Sequence, residues 1–367
     1  MKSRARVLIC LLAAGQLLGL APLEAASRQV QDATGRSLSV PTNPKRVLCS
    51  GSGCLRLLTY LGAQNRIIGV DAAEKGLTVV DSRPYAVAHP EFRKLPLFGE
   101  GRGNDNLELI AALNPELIFK ISGGPGPAPQ ALQEATGVPV VALNYGNLSF
   151  GRNDLNQSLR LMGLIMGCDQ RAAQVIAYID AVERDLKRRT TGLKSRPSCY
   201  VSGLANAGPH GFQSTDPSFA PFIFLGADNV ASGMSTRAKP LSHAVVAKEQ
   251  IITWDPEVIF LDVSSLRLTG GASALDQLRN DPSYRNLRAV KNGRIYGLLP
   301  SNSYNANYEI ILANAYYAGK VLYPERFKDI DPLKKAEEIA TFFNGRPAIA
   351  QINRQYGNRA LRQIRLK

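Results

Sequence analysis

The sequence contains little histidine: His89, His210 and His243 among 367 residues. Histidine is the side chain most often used in general acid–base catalysis, so its scarcity argues against most enzymes of that kind. The chain also lacks a phosphate-binding P-loop, a Gly-x-Ser-x-Gly nucleophile elbow and a His-Glu-x-x-His zinc motif. No histidine lies at zinc-ligand spacing from a cysteine. We therefore expect a protein that is not an enzyme, has no cofactor and holds no directly bound metal.

Long apolar runs are missing as well. Beyond the N-terminus, no segment reaches the roughly 18 apolar residues that a transmembrane helix requires. Charged residues make up 20% of the chain without forming long blocks, and 45% of the residues are hydrophobic, as in folded globular proteins. The length predicts about two domains. The net charge of +14 would suit a nucleic-acid partner, but the N-terminus argues against one.

The N-terminus has the three parts of an export signal. Lys2, Arg4 and Arg6 precede an apolar segment over residues 7–23, and residues 25–27 are small. An uncleaved membrane anchor is the alternative, although glycine, glutamine and proline interrupt the apolar segment. We predict that residues 1–26 are removed and that the exported protein is soluble and has no nucleic-acid partner.

Four cysteines follow the signal: Cys49, Cys54, Cys168 and Cys199. An oxidising compartment permits disulfides, and Cys49 and Cys54 are close enough in sequence to pair if the loop between them folds back. A strand-to-helix turn need not bring them into disulfide geometry. The sequence therefore leaves a Cys49–Cys54 disulfide open.

Strands and helices alternate over most of the chain. Residues 46–49 predict a strand, 50–53 a glycine-rich loop, 54–61 a helix and 66–70 the next strand. This order is typical of a parallel α/β sheet. Further strands are predicted at 117–121, 138–143, 198–203, 258–262 and 294–298, and helices at 108–113, 128–136, 219–225, 309–322 and from 332 onward.

The middle of the chain has a helical period instead. From residue 154 to about 189, apolar residues recur three and four positions apart, and Gly167 and Asp169 indicate a helix stop and a new N-cap. The second helix would have about 20 residues and a length of about 30 Å, enough to separate two lobes. The predicted organisation is a signal peptide (1–26), a first α/β lobe (27–152), connecting helices (153–190), a second α/β lobe (191–330) and a basic helical tail (331–367).

Two segments of the chain resemble each other. Residues 108–119 and 249–260 share a leading glutamate, Pro-Glu and Ile-Phe at the same offsets, and agree at six of twelve positions. Each predicts a helix, a proline stop and a buried strand. Chance similarity between amphipathic helices is the alternative, but the fixed offsets favour two related lobes.

These motifs carry a family resemblance. Together with Asp32-Ala-Thr-Gly-Arg36 and Val290-Lys-Asn-Gly-Arg-Ile-Tyr296, they make residues 28–345 similar to the periplasmic substrate-binding proteins of iron-siderophore and cobalamin ABC importers. The resemblance implies two Rossmann-like lobes joined by a long rigid α-helix, the class III binding-protein fold. It also implies a periplasmic monomer that binds its ligand between the lobes and delivers it to an inner-membrane permease with its ATPase.

In this family one exposed glutamate on each lobe docks onto arginines of the permease. Glu108 and Glu249 begin the two similar segments, so the resemblance makes them the docking candidates. Separated carboxylates would set the orientation of docking. Acidic residues also favour the first turn of any helix, which is the alternative explanation.

The ligand is expected at the carboxyl ends of the strands, where open α/β sheets bind small molecules. The Ser50–Cys54 loop could hold an anion by its N–H groups at a helix start. As an alternative to ligand binding, His210 could form hydrogen bonds with loop carbonyls. Tyr304 and Tyr308 could instead pack in the core. The cleft candidates are Ser50, Gly51, Ser52, Gly53, Cys54, Arg83, Tyr85, Arg102, Ser122, Asn144, Tyr145, Asn206, His210, Phe212, Tyr304, Asn305 and Tyr308.

The resemblance makes a metal chelate, a ferric siderophore, the first choice of ligand. A corrinoid or an oxyanion such as molybdate or tungstate is the alternative on the same fold. A large chelate would need a wide cleft with several aromatic side chains, whereas an oxyanion would need a tight ring of N–H, hydroxyl and arginine donors. A hydrolase or metal chaperone would need a triad around His210. The excess of basic over acidic residues would attract anionic ligands or an anionic membrane surface.

Overall fold

The computed structural model describes residues 27–76, 80–236 and 238–366. The predicted signal peptide lies outside these residues. The strands are β1 (Ser27–Gln31), β2 (Ser37–Pro41), β3 (Val47–Ser50), β4 (Val70–Asp71), β5 (Leu97–Gly101), β6 (Asn104–Asp105), β7 (Leu117–Ile121), β8 (Val140–Leu143), β9 (Ser198–Ser202), β10 (Ser214–Thr215), β11 (Asp228–Asn229), β12 (Ala244–Val245), β13 (Val258–Asp262), β14 (Ile295–Leu298) and β15 (Arg362–Gln363). The α-helices are α1 (Cys54–Tyr60), α2 (Pro84–Ala88), α3 (Leu107–Leu113), α4 (Pro129–Thr136), α5 (Arg152–Met166), α6 (Asp169–Thr190), α7 (Ala220–Leu225), α8 (Lys248–Trp254), α9 (Ala274–Asn280), α10 (Arg288–Lys291), α11 (Tyr308–Leu322), α12 (Pro332–Asn344) and α13 (Ile349–Gln355).

The first lobe is built on a parallel sheet in the order β3-β7-β8. Every residue of these three strands is buried, as expected for a parallel sheet that is covered on both faces. A smaller sheet, β4-β5-β6, lies beside it in the same lobe, and β1 and β2 form an N-terminal hairpin. The predicted strand at 66–70 is present only in part: Arg66 ends a 3-10 turn, Ile67 forms a single parallel bridge with Val47, and Val70 begins the two-residue strand β4.

The second lobe contains a five-stranded sheet in the order β11-β9-β13-β14-β15. Its first four strands are parallel, and β15 joins the edge antiparallel to β14. The C-terminal segment is helical, as predicted, over α12 and α13, and after these helices β15 joins this sheet. Its helix α12 packs on α11 and also contacts α1 and α2 of the first lobe, so it helps to hold the two lobes together.

The predicted connecting helices are present as α5 and α6. Gly167 ends α5 in a left-handed conformation, with φ of 67°, which glycine adopts without the steric cost of a Cβ. The second helix has 22 residues, a length of about 33 Å. One face of it is buried, with Val175, Ile179 and Leu186 fully inaccessible. Among the helices that the structure describes, none is long and apolar enough to cross a membrane.

The two similar sequence segments have the same structure. Helices α3 and α8 each have seven residues and end in a left-handed residue, Asn114 or Asp255. Each is followed by a fully buried strand, β7 or β13. An arginine donates to the last carbonyls in both cases: Arg46 Nε to Asn114 O at 3.1 Å, and Arg288 Nε to Asp255 O at 3.1 Å. The internal similarity is thus a repeated structural unit, one in each lobe.

Candidate functional site

A cavity of about 450 Å³ lies between the two lobes. This volume is in the usual range for small-molecule sites, about 300–1,000 Å³. Segments that follow β3, β4 and β5 line it from the first lobe, and loops that follow β9, β13 and β14 line it from the second, as expected for an α/β sheet. The lining residues are Ser52, Ser82, Arg102, Ala205, Ala207, Gly208, Pro209, Ser264, Arg267, Asn302, Ser303, Tyr304, Asn305 and Tyr356.

Two arginines line this cleft, Arg102 from the first lobe and Arg267 from the second. Both also line an adjoining cavity of about 400 Å³, and both are exposed. Within the described ranges, neither guanidinium makes a hydrogen bond or an ion pair. A free guanidinium presents a planar set of donors that suits carboxylate, phosphate and other oxyanions. Sequence reasoning missed Arg267, although its position just after a predicted buried strand was the available signal.

The loop at residues 302–307, which we call the bridging loop, extends from the second lobe into the first. Arg56 on α1 is fully buried and donates from Nη1 to Ala306 O at 2.9 Å and from Nη2 to Ser303 O at 2.8 Å. Asn305 Nδ2 donates to Ser52 O at 3.1 Å. These bonds cross from one lobe to the other, so they fix the floor of the cleft.

Four non-glycine residues of the cleft lining have a left-handed backbone. Their φ values are 53° at Arg102, 56° at Ala207, 51° at Tyr304 and 79° at Asn305. Such conformations cost on the order of 1–3 kcal/mol each and concentrate at ligand-binding and catalytic sites. The surrounding hydrogen bonds hold the cleft loops in this form.

Tyr304, on the second lobe, forms hydrogen bonds with two residues of the first lobe. Its hydroxyl donates to Asp71 and accepts a hydrogen bond from the backbone N–H of Arg102 at 2.7 Å. Burial, together with the nearby Glu74, raises the pKa of Asp71 to about 7. The position of Arg102 in the cleft therefore depends on a side chain from the opposite lobe.

The predicted glycine-rich loop contributes Ser52 to the cleft lining, but its other members have different surroundings. Ser50 is fully buried and its Oγ donates to Asp105 Oδ1 at 2.6 Å while accepting from Lys120 Nζ at 3.1 Å. Gly51 and Gly53 have φ values of 90° and 86°. A Cβ on Gly53 would lie 2.3 Å from the Tyr145 ring, so that glycine is required by close packing.

Arg83 and Tyr85 belong to a buried ionic cluster. Arg83 pairs with Glu74 at 2.8 Å and with Asp81 at 2.9 Å, and Tyr85 donates to Glu74 at 2.6 Å. Arg83 lines the adjoining cavity, but its charge is already neutralised. Arg83 and Arg102 were both predicted to line the cleft. In the structure Arg83 is paired with two carboxylates, whereas the Arg102 guanidinium is unpaired.

Three predicted aromatic residues are core residues. Tyr145 and Tyr308 are buried and stack with ring centroids 5.1 Å apart, and Tyr308 donates to Tyr145 O at 2.8 Å. Phe212 is fully buried against Tyr284. For Tyr308 this is the core-packing alternative that the sequence allowed.

Four further candidates, Ser122, Asn144, Asn206 and His210, do not line the cavity between the lobes. His210 Nε2 bonds to Asn206 O at 2.7 Å, which is the loop-carbonyl role named as its alternative. Asn144 accepts from Ser158 through its carbonyl, and the half-buried Ser122 Oγ has no partner in the described chain. No group of three or more potential metal ligands occurs among the described residues.

Cys49 and Cys54 are both buried free thiols in the structure. Burial, together with the neighbouring Cys54, raises the pKa of Cys49 well above its usual value. Cys54 occupies the first position of α1, and its Sγ donates to Phe119 O at 3.5 Å. The disulfide that the sequence left open is therefore absent here, and Cys54 packs in the core and does not line the cleft.

Glu108 and Glu249 are exposed and hold the same position, the second residue of α3 and of α8. Neither makes a side-chain hydrogen bond or ion pair with the described part of the chain. The repeated unit thus presents one unpaired carboxylate on each lobe.

Comparison with known proteins gives matches along most of the chain. The family model described as periplasmic binding protein matches residues 47–301. The molybdate-binding protein MolA of Haemophilus influenzae is 23% identical over 350 residues, covering 90% of this chain and 93% of MolA. The Fe(3+)-citrate-binding protein YfmC of Bacillus subtilis is 24% identical over 196 residues, covering 53% and 57%. Both relatives are described as binding proteins.

Solved structures share the fold. A periplasmic solute binding protein from Veillonella parvula has a TM-score of 0.68 at 20% identity and covers 89% of this chain and 96% of its own. MolA bound to molybdate has a TM-score of 0.66 at 20% identity, covering 87% and 98%. These similarities confirm the predicted class III fold of two α/β lobes and a connecting helix.

Proposed function

Since this chain belongs to the periplasmic binding protein family, we propose that it captures a compact anionic ligand between its lobes and delivers it to an ABC permease. The observation that carries the proposal is the pair of unpaired arginines, Arg102 and Arg267, contributed by opposite lobes. An anion between them would neutralise both charges and would be held by both lobes at once. Binding would then favour the closed arrangement of the lobes.

The rest of the lining supports an anion. Four serines and two asparagines line the same cavity, and their hydroxyl and amide groups can donate hydrogen bonds. No carboxylate is among the described residues that line this cavity. The net charge of +14 adds a general attraction for anions, which raises the association rate.

An anionic metal chelate is the first candidate. The cavity of about 450 Å³ has room for a chelated ion with its organic ligand, and a relative is named for binding of ferric citrate. Such a ligand is an iron chelate, as the sequence analysis expected, and it carries negative charge that the arginines can bind. The metal would be cargo held through its chelator, since the described lining offers it no carboxylate or histidine.

A tetrahedral oxyanion is the second candidate. Of the N–H, hydroxyl and arginine donors that the sequence analysis required for it, arginine and hydroxyl groups line the cavity. A relative covering most of the chain is named for molybdate binding. A corrinoid is less well supported. Tyr304 and Tyr356 are the aromatic residues of the described lining, and their hydroxyls are bonded to Asp71 and Ser82.

Docking through both lobes completes the proposed function. Glu108 and Glu249 would contact cationic groups of the permease, one from each structural repeat. Charges at the rim of an interface mainly set the encounter rate and orientation. The proposal places this step in the periplasm, after removal of residues 1–26.

Calorimetric titration of the full mature chain with ferric citrate, a ferric siderophore, molybdate, tungstate and cobalamin tests the ligand class. We expect binding of one of the anions and a loss of affinity of about tenfold or more in Arg102→Gln and Arg267→Gln, because each removes a charge-assisted hydrogen bond. Arg184→Gln, an exposed arginine on α6, is the matched control. Tight binding that is unchanged in the Arg102/Arg267 double variant would refute the proposed site.

A further inference from the structure

A smaller cavity of about 240 Å³ lies next to the cleft. It shares Ala205, Asn302 and Asn305 with the cleft, so the bridging loop separates the two spaces. The first lobe contributes the loop that follows β8, and the second contributes the segments that follow β9, β10 and β14. Like the cleft, this cavity lies at the carboxyl ends of strands in both lobes.

Its charge differs from that of the cleft. Asp216 is the one charged residue among the described residues that line it. The Asp216 carboxylate accepts a hydrogen bond from Ser218 N at 2.8 Å, and within the described ranges it has no ion pair. Burial raises the pKa of Asp216 to about 7. A half-buried carboxylate that has no cationic partner is costly, and a bound cation would offset that cost.

The remaining lining is suited to an organic cation. Hydroxyl and amide groups of Ser149, Ser242 and Asn302 offer oxygen acceptors, and Phe219 and Ile311 offer apolar surface. A primary ammonium has three donors, which one carboxylate and neutral oxygens can accept. A calcium ion takes six to eight oxygens, commonly from several carboxylates. With a water molecule occupying about 30 Å³, the cavity is also larger than a bare ion needs.

We propose that the Asp216 cavity is a second subsite that binds a primary ammonium group. The subsite lies beside the anion cleft and is separated from it by Asn302 and Asn305. The ammonium is either a free small amine or part of the molecule held in the cleft. The subsite does not depend on which anion the cleft binds.

Titration of the full mature chain with ethylammonium chloride at pH 8 tests the proposal, since Asp216 is ionised there and the amine is protonated. Ethanol, sodium chloride and calcium chloride at matched ionic strength are the comparison ligands. We expect saturable binding of ethylammonium but not of ethanol, and binding about tenfold weaker in Asp216→Asn. Asp228→Asn, an exposed aspartate of the same lobe, should bind as the wild type does.

Three results would overturn the proposal: no saturable ethylammonium binding to the wild type, equal binding to Asp216→Asn, or binding of calcium in preference to the amine. Asp216→Asn is isosteric, and its circular dichroism and melting curve show whether it folds. Arg102→Gln should keep ethylammonium binding, so failure of the anion site and failure of this subsite are distinguishable. If ethylammonium competes with the anion that the cleft binds, one molecule spans both sites. If the two bind independently, the amine is a separate ligand. Both outcomes support the subsite.

Discussion

Replacing Arg56 with methionine tests how strongly the bridging loop joins the lobes. The guanidinium is fully buried and holds Ser303 O and Ala306 O at 2.8 and 2.9 Å. Each hydrogen bond from a charged donor contributes about 1.5–3 kcal/mol. Glu309, which is also buried and interacts electrostatically with Arg56, would lose its countercharge. Removal of one member of a buried charge pair costs about 3–5 kcal/mol, and we expect a loss of unfolding free energy in that range.

Urea unfolding followed by circular dichroism measures this loss, with the change in midpoint compared at constant slope. Arg56→Lys should give an intermediate loss, because an ammonium keeps the charge but cannot hold two carbonyls as a planar fork does. Arg184→Met, at an exposed site, should change stability by less than about 0.5 kcal/mol. If Arg56→Met were within about 1 kcal/mol of the wild type, the cross-lobe bonds described here would not stabilise the protein.

Three further changes have defined outcomes. Gly53→Ala should destabilise the fold by about 1–3 kcal/mol in urea unfolding, because φ is 86° and the new Cβ would lie 2.3 Å from the Tyr145 ring; unchanged stability would contradict the packing. Asp216, with a pKa raised by burial to about 7 against about 3.9 unfolded, contributes stability that is fully present below about pH 4 and lost as the pH rises through 7. Asp216→Asn should therefore gain stability relative to the wild type from pH 4 to 8, and a constant difference would refute this. Reversing Glu108 and Glu249 to lysine should abolish ligand uptake in cells while leaving affinity in titrations unchanged, and normal uptake would exclude docking through them.

Much of the fold follows from local sequence. The buried strands β7 and β13 are largely apolar, with Lys120 and Asp262 as their polar residues. The helical period with Gly167 predicts α5 and α6, because such patterns reflect which side of each element meets the core. Residues 66–70 form only a single bridge and the start of β4, because the extent of strand pairing depends on contacts with residues far away in the chain. Strand β15 was missed because its pairing with β14 is a contact between distant parts of the chain.

The candidate site was predicted less completely. Ser52, Arg102, Tyr304 and Asn305 line the cleft because they follow strand ends, a rule that sequence can apply. Arg267 also follows a strand, but no aromatic residue accompanies it in residues 263–273, and aromatic residues drew attention to the other loops.

By itself the sequence determined the alternation of strands and helices, the repeated unit with its two glutamates, and the division into two lobes around a long helix. Each of these features follows from local periodicity or from internal similarity of the sequence. The tertiary structure decided which charges remain free. Arg83 and Arg102 were both cleft candidates, but folding places Glu74 and Asp81 against Arg83 and leaves Arg102 open to the cleft. Electrostatic pairing depends on distances between residues far apart in the chain, and only the folded molecule sets those distances.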